Sequence, residues 1–217
     1  MLVVKIGTGV LTQDGQIDGH QIGKLARQVL ALRRKDIQSV LVSSGAIAAG
    51  MARLGIQRRP TNIHALQACA AIGQNLLMHR YESVFSRLGL MVGQVLLTHG
   101  DFYDPKRREN ARQTLLRLLK LGVLPIINEN DAVSFAEIKF GDNDQLAAQV
   151  HHLLSADATI LLSTVEGFYV REKKRQILLP TIRGMPKSIL KHAGGAGSER
   201  SVGGMKSKLL AADLVTA

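Results

Sequence analysis

Short apolar runs alternate along this chain with longer segments in which apolar residues recur at helical spacing. The short runs are residues 2–6, 39–42, 91–97, 124–127 and 159–162, and the helical segments are residues 20–33, 63–88, 107–121 and 144–154. Strands that alternate with helices favour a parallel sheet with helices on both faces. The sequence therefore predicts an α/β fold with a mainly parallel central sheet, whose ligands bind beyond the carboxyl ends of the strands.

The length and composition of the chain suit one large globular domain. It has 217 residues, of which 46% are hydrophobic, enough for a sizeable core. Cys69 is the single cysteine, so an intramolecular disulfide is excluded, and its Ala-rich surroundings predict a packing role in a helix. The first residues show a strand pattern rather than a signal peptide, and no apolar run is as long as a membrane span. We expect a cytoplasmic protein that has no membrane partner.

The net charge is strongly positive, +11 from 28 Lys and Arg against 17 Asp and Glu. Basic clusters at residues 33–35, 58–59, 106–108 and 171–175 could attract nucleic acid or a small anion such as ATP. Solvated helix faces also explain any single cluster. Aromatic residues make up only 4% of the chain, so few side chains could stack on bases, and no nucleic-acid partner is expected.

Three glycine- or serine-containing turns follow strands or precede helices. In VVKIGTGV, residues 3–10, Lys5 lies in an apolar strand, where a charge needs a partner, and Gly7 and Gly9 form a loop that suits phosphate or a plain tight turn. In LVSSGAIAAGM, residues 41–51, Ser43 or Ser44 could cap the next helix and favour an anion there. GGMKSKLLAAD, residues 203–213, carries two lysines into a helix, but the chain has no P-loop.

Other site classes find little support in the sequence. The G-x-S-x-G turn of serine hydrolases is absent, and the histidines have no metal-ligand spacing, so we predict surface or packing roles for them and no protein-held metal. Residues 163–204 break the strand and helix rhythm with a basic run and a glycine-rich run. They indicate a mobile insertion or lid around a short hairpin, or a flexible linker.

Acidic residues concentrate in INENDAVSFAEIKFGDND, residues 127–144, which holds five of the 17 carboxylates. The chain resembles the glutamate 5-kinases of the amino acid kinase family in this stretch and in five further segments that occur in the family's order. These segments are VVKIGTGVL, VSSGAIAAGM, QACAAIGQ, ENARQTL and GGMKSKLLAAD. The match covers nearly the whole chain. It implies a three-layer α/β/α sandwich that phosphorylates the γ-carboxylate of L-glutamate with ATP and Mg²⁺, giving γ-glutamyl phosphate, the first step of proline biosynthesis. We expect residues 1–217 to be a kinase domain that ends before the family's domain does, without the PUA domain of many bacterial members.

The resemblance also implies roles for particular residues. Lys5 and Lys208 match the lysines that contact the transferred phosphoryl group, and Asp144 matches the aspartate that orients them. The positions that match glutamate-binding residues are Ser44, Asp131 and Asn143. The positions that match the nucleotide site are Lys5, Gly7, Ser163, Thr164, Val202, Gly203, Gly204, Met205, Lys206, Ser207 and Lys208.

Some positions depart from the family or have no role in it. The family commonly has Thr-Asp where this chain has Ser163 and Thr164, and a threonine where it has Val202, so the nucleotide contacts differ in detail. Glu129, Glu137 and Asp142 are unassigned, with solvent-facing or loop-fixing roles expected. Lys206 is an additional cation of unassigned role.

Alternative functions stay open at this point. Acetylglutamate kinase, aspartokinase and uridylate kinase use similar loops and lysines, although INENDAV and GDND favour glutamate 5-kinase. The kinase part of a pyrroline-5-carboxylate synthase would perform the same step. A basic RNA-binding or regulatory relative without catalysis is the alternative from another class. The resemblance further implies a homodimer or homotetramer and feedback inhibition by proline.

Overall fold

The computed structural model describes residues 1–13, 16–133, 143–172, 175–185, 189, 193 and 204–216. Within these ranges the strands are β1 (Leu2–Ile6), β2 (Thr12–Gln13), β3 (Gln16–Ile17), β4 (Ser39–Ser43), β5 (Val92–Leu97), β6 (Leu124–Glu129), β7 (Ala158–Leu162), β8 (Phe168–Glu172) and β9 (Arg175–Leu179). The helices are α1 (Thr8–Leu11), α2 (Gly19–Arg33), α3 (Ala46–Arg53), α4 (Ile63–Phe85), α5 (His99–Tyr103), α6 (Pro105–Lys120), α7 (Asn143–Leu154) and α8 (Met205–Thr216). A 3₁₀ turn, Ser86–Leu88, extends α4.

Five of the strands form one parallel sheet in the order β5-β6-β4-β1-β7. The central strands β1, β4 and β6 are buried almost throughout, which explains why they read as continuous apolar runs. The prediction of an α/β fold with a mainly parallel sheet is confirmed.

Alternate residues of each strand face different helical layers. In β1, Val4 and Ile6 pack in a core with residues of α2 and α4, whereas Val3 packs in a second core with residues of α6 and α7. Successive side chains of a strand point to opposite faces, so Lys5 shares the α7 side of the sheet with Val3. The three layers of the predicted α/β/α sandwich are therefore present.

Helices α3 and α4 pack backbone to backbone. A Cβ atom at Gly73 would lie 1.7 Å from the carbonyl oxygen of Ala46, and one at Gly50 would lie 1.9 Å from that of Cys69. Only glycine fits at either position. Cys69 is buried in this contact, so the helical, packed environment expected for it is confirmed.

The helix starts show where local sequence decides structure. Asp18, Asn62 and Asp104 each accept hydrogen bonds from two backbone N–H groups at the starts of α2, α4 and α6. The expectation that Ser43 or Ser44 caps α3 is wrong. The N-cap is Gly45, which makes no side-chain cap and adopts φ 101°, a left-handed conformation that favours glycine, so the preceding serines point elsewhere.

Two smaller features complete the described chain. Strands β8 and β9 form the antiparallel hairpin expected within residues 163–204, and Phe168 packs there in a cluster with Leu209 of α8. The short hairpin of β2 and β3 and the single-turn helix α5 have no counterpart among the sequence predictions. Among the helices described, none combines the length and apolar character needed to span a membrane.

Candidate functional site

Lys5, Asp144 and Lys208 form an ion-paired cluster at the carboxyl end of the sheet. The ammonium of Lys5 lies 2.6 Å from Oδ1 of Asp144, and the ammonium of Lys208 donates to Oδ2 at 2.8 Å. The Asp144 side chain is 0% exposed, against 6% for Lys5 and 17% for Lys208. The buried lysine of β1 thus has the partner that its burial requires.

Each member of the cluster comes from a different element. Lys5 projects from β1 toward α7, Asp144 lies in the first turn of α7, and Lys208 lies in the first turn of α8, which packs along α7. The N-terminal end of a helix favours a carboxylate, so the first turn of α7 suits an aspartate. Ser207 Oγ, at 3.5 Å, also approaches Oδ2 of Asp144.

Two cations share one carboxylate in this cluster, which leaves a net positive charge at a largely water-excluded place. Such a site attracts an anion and stabilises negative charge that develops on it, because a buried interaction is screened less than one at the surface. The arrangement suits the handling of phosphate groups.

Beside the cluster, Asn143 joins the ends of β4 and β6. Its Nδ2 lies within hydrogen-bonding distance of the carbonyl oxygen of Ser43 at 2.8 Å, Oγ of Ser44 at 3.0 Å and Oδ1 of Asn128 at 3.0 Å. The structure therefore brings Ser44 and Asn143 into direct contact, one residue along from Asp144. Their role in binding a substrate stays a prediction.

Sequence reasoning missed Asn128 and Gln74 and misjudged Glu129. Strand β6 was expected to end at Ile127 but continues to Glu129, so Asn128 is buried and Glu129 is only 7% exposed. The solvent-facing role expected for Glu129 is therefore wrong, because the strand pairs with β5 as far as that residue. The polar residues 128–130 after an apolar run are typical of a loop. Pairing with β5 is what shows that the first two of them belong to the strand.

Asp131 lies in the turn after β6, on the wall of a cavity of about 260 Å³. The cavity is lined by Ala46, Ala70, Ala71, Gln74, Asn75, Gln94, Leu96, Glu129, Asn130, Asp131 and Ala132. Its volume is below the roughly 300–1,000 Å³ of drug-sized pockets, so it suits a small ligand. Ser44 and Asn143 are not part of its wall, but Asn143 hydrogen-bonds Asn128, which in turn hydrogen-bonds Gln74 of the wall.

The ends of β1 and β7 bring the predicted nucleotide residues together. A Cβ at Gly9 would lie 3.1 Å from Cγ2 of Thr164, and one at Gly7 would lie 3.8 Å from the ammonium of Lys5 and 3.5 Å from the carbonyl oxygen of Leu162. Thr164 is exposed, and Ser163 directly follows β7. Gly7 and Gly9 thus lie between the buried lysine and the Ser163–Thr164 pair, but the loop expected there is replaced by α1, in which Gly7 is the N-cap and Gly9 a helical residue.

The remaining nucleotide residues lie at the start of α8. Gly204, Met205, Lys206 and Ser207 lead into Lys208, and the exposed side chain of Lys206 lies outside the ion-paired cluster. The backbone N–H groups of a first helical turn have no partner within the helix and favour an anion. Val202 and Gly203, together with the unassigned Glu137 and Asp142, lie outside the described residues.

The two histidines of α7 form hydrogen bonds with other groups of the protein. His151 Nδ1 lies 3.0 Å from Oγ1 of Thr159, and His152 Nε2 lies 2.7 Å from the carbonyl oxygen of Leu214. Burial, and then the neighbouring His152, lower the pKa of His151 below its ordinary value. Within the part of the chain that the structure describes, no three His, Cys, Asp or Glu residues are grouped as metal ligands.

Comparison of the sequence with known proteins identifies one family. The family model described as "Amino acid kinase family" matches residues 1–216. The glutamate 5-kinase of Ralstonia nicotianae is 51% identical over 219 residues, and those of Cupriavidus metallidurans and Burkholderia thailandensis are 49% identical over 216 residues. Each alignment covers 97% of this chain and 58% of the relative, so the chain spans somewhat over half the length of these relatives. Because the family model matches residues 1–216 and these relatives align with 97% of the chain, the chain belongs to the amino acid kinase family.

Proposed function

We propose that this chain carries out the ATP-dependent phosphorylation of the γ-carboxylate of L-glutamate, which yields γ-glutamyl phosphate for proline biosynthesis. The observation that carries the proposal is the fully buried carboxylate of Asp144, which holds Lys5 and Lys208 on its two oxygens. Glutamate 5-kinases at about 50% identity support the choice of reaction.

The proposed reaction is a direct transfer of the phosphoryl group. An oxygen of the γ-carboxylate attacks the γ-phosphorus of ATP, a new O–P bond forms, the bond to the β–γ bridging oxygen breaks, and ADP leaves with that electron pair. The carboxylate is already ionised at neutral pH, so no general base is required. What the reaction needs is compensation of charge on the phosphoryl oxygens, which Lys5 and Lys208 supply.

Asp144 acts in this proposal as the positioning residue of the cluster. Its two oxygens hold the two ammonium groups at fixed places before the substrates arrive, so the lysines do not reorganise during transfer. A shared carboxylate also reduces the repulsion between the two cations when no phosphate is bound.

The proposed amino acid site uses Ser44, Asn143 and Asp131. The two N–H hydrogens of Asn143 are directed at three acceptors on Ser43, Ser44 and Asn128, so one hydrogen is shared, and the carbonyl oxygen is the atom that can accept from the α-ammonium group. Ser44 Oγ accepts from Asn143, and its own proton can be donated to a carboxylate. The carboxylate of Asp131, on the wall of the neighbouring cavity, complements the ammonium charge.

The proposed nucleotide site lies between Gly7, the Ser163–Thr164 pair and residues 204–208 at the start of α8. Its cations and helical N–H groups fit the phosphates of ATP. Mg²⁺ is expected to arrive with the nucleotide, bound by phosphate oxygens and water, because the described residues contain no cage of carboxylates for it. When bound, the ion neutralises phosphate charge.

The test is an ATP-to-ADP assay with hydroxylamine trapping of the acyl phosphate, in which L-glutamate is compared with N-acetylglutamate, aspartate and UMP. We expect turnover with L-glutamate. Turnover with one of the other acceptors instead would identify acetylglutamate kinase, aspartokinase or uridylate kinase activity. No turnover with any acceptor, together with RNA binding that weakens steeply with salt, would identify the non-catalytic alternative.

Several properties implied by the family resemblance stay predictions. They are the dimeric or tetrameric state, feedback inhibition by proline and the cytoplasmic location. Light scattering of the purified protein and the turnover assay with added proline test the first two.

A further inference from the structure

The amide side chains at the ends of β4 and β6 form a continuous chain of hydrogen bonds that begins on α4. Gln74 Oε1 accepts from Asn128 Nδ2 at 2.7 Å, and Asn128 Oδ1 accepts from Asn143 Nδ2 at 3.0 Å. Asn143 Nδ2 also reaches Ser44 Oγ at 3.0 Å. Four side chains from α4, β6, α7 and the turn after β4 are therefore linked in sequence.

Two backbone groups fix the direction of every bond in this chain. The carbonyl oxygen of Ser43 can only accept, so the atom of Asn143 that faces it is Nδ2. The N–H of Glu129 can only donate, so the atom of Asn128 that faces it, at 2.9 Å, is Oδ1. Because the oxygen of Asn128 faces Glu129, its Nδ2 faces Gln74. The atom of Gln74 that accepts this hydrogen bond is therefore Oε1.

The direction of these bonds sets the polarity of the proposed amino acid site. Asn143 turns its N–H groups away from the substrate and keeps its carbonyl oxygen as an acceptor for an ammonium group. Ser44 Oγ receives an N–H and keeps its proton as a donor for a carboxylate. If the Asn143 amide were inverted, its NH₂ group would face the ammonium group, and the two hydrogen-bond donors would repel each other.

We propose that Gln74 is a positioning residue for amino acid binding, because its oxygen holds Asn128 in the orientation that the Glu129 N–H also requires, with Oδ1 toward Asn143. This inference rests on the proposed function. Gln74 Nε2 is buried and has no acceptor in the described part of the chain, so the bond to Asn128 is the one through which this side chain acts there. The sequence analysis includes Gln74 only as the last residue of the segment QACAAIGQ and assigns it no role.

The test compares Gln74→Met and Gln74→Asn with wild type in the glutamate-dependent assay. Methionine keeps the length but has no oxygen, and asparagine is one methylene too short to reach Asn128. We expect either change to raise KM for glutamate by about tenfold, the effect of losing one buried hydrogen-bond partner, while kcat and KM for ATP change by less than about twofold. Gln74→Glu retains an oxygen acceptor, so its KM should stay within about threefold of wild type.

Two controls separate positioning from general damage. Gln67→Met makes the same substitution two turns earlier on α4, outside the amide chain, and should leave KM for glutamate unchanged. In an Asn143→Ala background, Gln74→Met should add no further rise in KM, because the residue through which Gln74 acts is gone.

The inference is overturned if Gln74→Met binds glutamate as wild type does, if KM for ATP rises equally, or if the effects of Gln74→Met and Asn143→Ala multiply. Failure of both Gln74→Met and Gln74→Asn to fold, monitored by circular dichroism, would also overturn it, since a positioning residue is dispensable for folding. Absence of turnover by the wild type contradicts the proposed function instead.

Discussion

The α3–α4 contact and the lysine cluster lie on opposite sides of the same sheet and depend on opposite physical principles. At the contact, Gly50 and Gly73 let two helices approach until backbone touches backbone, with no charge involved. In the cluster, Lys5, Asp144 and Lys208 are charged groups withdrawn from water, an arrangement that contributes little net stability even when fully paired. The contact stabilises the layer formed by α3 and α4, and the cluster holds charged groups in place for the proposed reaction.

The largest expected effect on stability comes from removing the shared carboxylate. Asp144→Asn leaves the nearly buried Lys5 without a counter-charge, and we expect a loss of about 3–5 kcal/mol in the free energy of unfolding, measured by urea denaturation. The double variant Lys5→Met/Asp144→Asn should regain much of that loss, because no unpaired charge remains. A single variant as stable as wild type would show that the cluster is hydrated in solution.

Lys208→Ala should affect the reaction more than substrate binding. We expect kcat to fall by about 10²–10³-fold, equivalent to about 2.7–4 kcal/mol of transition-state stabilisation, with KM for glutamate within about threefold of wild type. Lys120→Ala, which removes an exposed lysine at the end of α6, is the matched control and should be neutral. An equal loss in kcat and in glutamate affinity would contradict the assigned role.

Glycine-to-alanine substitutions should have opposite effects at two helix positions. Gly73→Ala places a methyl group on the Ala46 carbonyl and should lower the free energy of unfolding by about 1–3 kcal/mol or more. At Gly23 in α2 the nearest atoms lie 3.8 Å and 3.9 Å from the new Cβ, so Gly23→Ala should stabilise the protein by about 0.5–1 kcal/mol. Equal effects at both positions, measured by urea denaturation, would show that α3 and α4 do not pack this closely in solution.

A change of similar size to that at Gly23, but destabilising, is expected at the buried hydrogen bond of Tyr81. Its hydroxyl lies 3.0 Å from Oγ of Ser43, beneath the turn that carries Ser44. Tyr81→Phe should cost about 1 kcal/mol at neutral pH, because Ser43 loses that partner and retains only its longer bond to the Ser44 carbonyl.

The stability difference between wild type and Tyr81→Phe should also depend on pH in the alkaline range. Burial raises the pKa of Tyr81 above its ordinary value of 10.0, so above that pH the unfolded chain releases a proton that the folded chain retains. The stability of wild type therefore falls with rising pH, and the Phe variant lacks this contribution. The stability difference between the two proteins should shrink above pH 10, and a constant difference would contradict the burial of the hydroxyl.

Local patterns predicted the elements that depend on neighbours in the chain. The apolar run at residues 2–6 is β1, and the Ala-rich stretch around Cys69 lies in α4. Prediction failed where pairing between distant segments decided the outcome. Asn128 and Glu129 belong to β6 because β5 pairs with them, and Gly45 rather than a serine begins α3 because the chain turns there with a positive φ.

The sequence by itself determined the alternation of strands and helices, the presence of a lysine in a buried strand and, through resemblance, the candidate residues of the site. Hydrophobic periodicity and motif order are properties of the chain alone. Only the tertiary structure decided that Asp144 meets both lysines and that Gln74 hydrogen-bonds Asn128 at the end of β6. These contacts join residues 54 to 139 positions apart in the chain, and their geometry depends on how the layers pack rather than on any local preference.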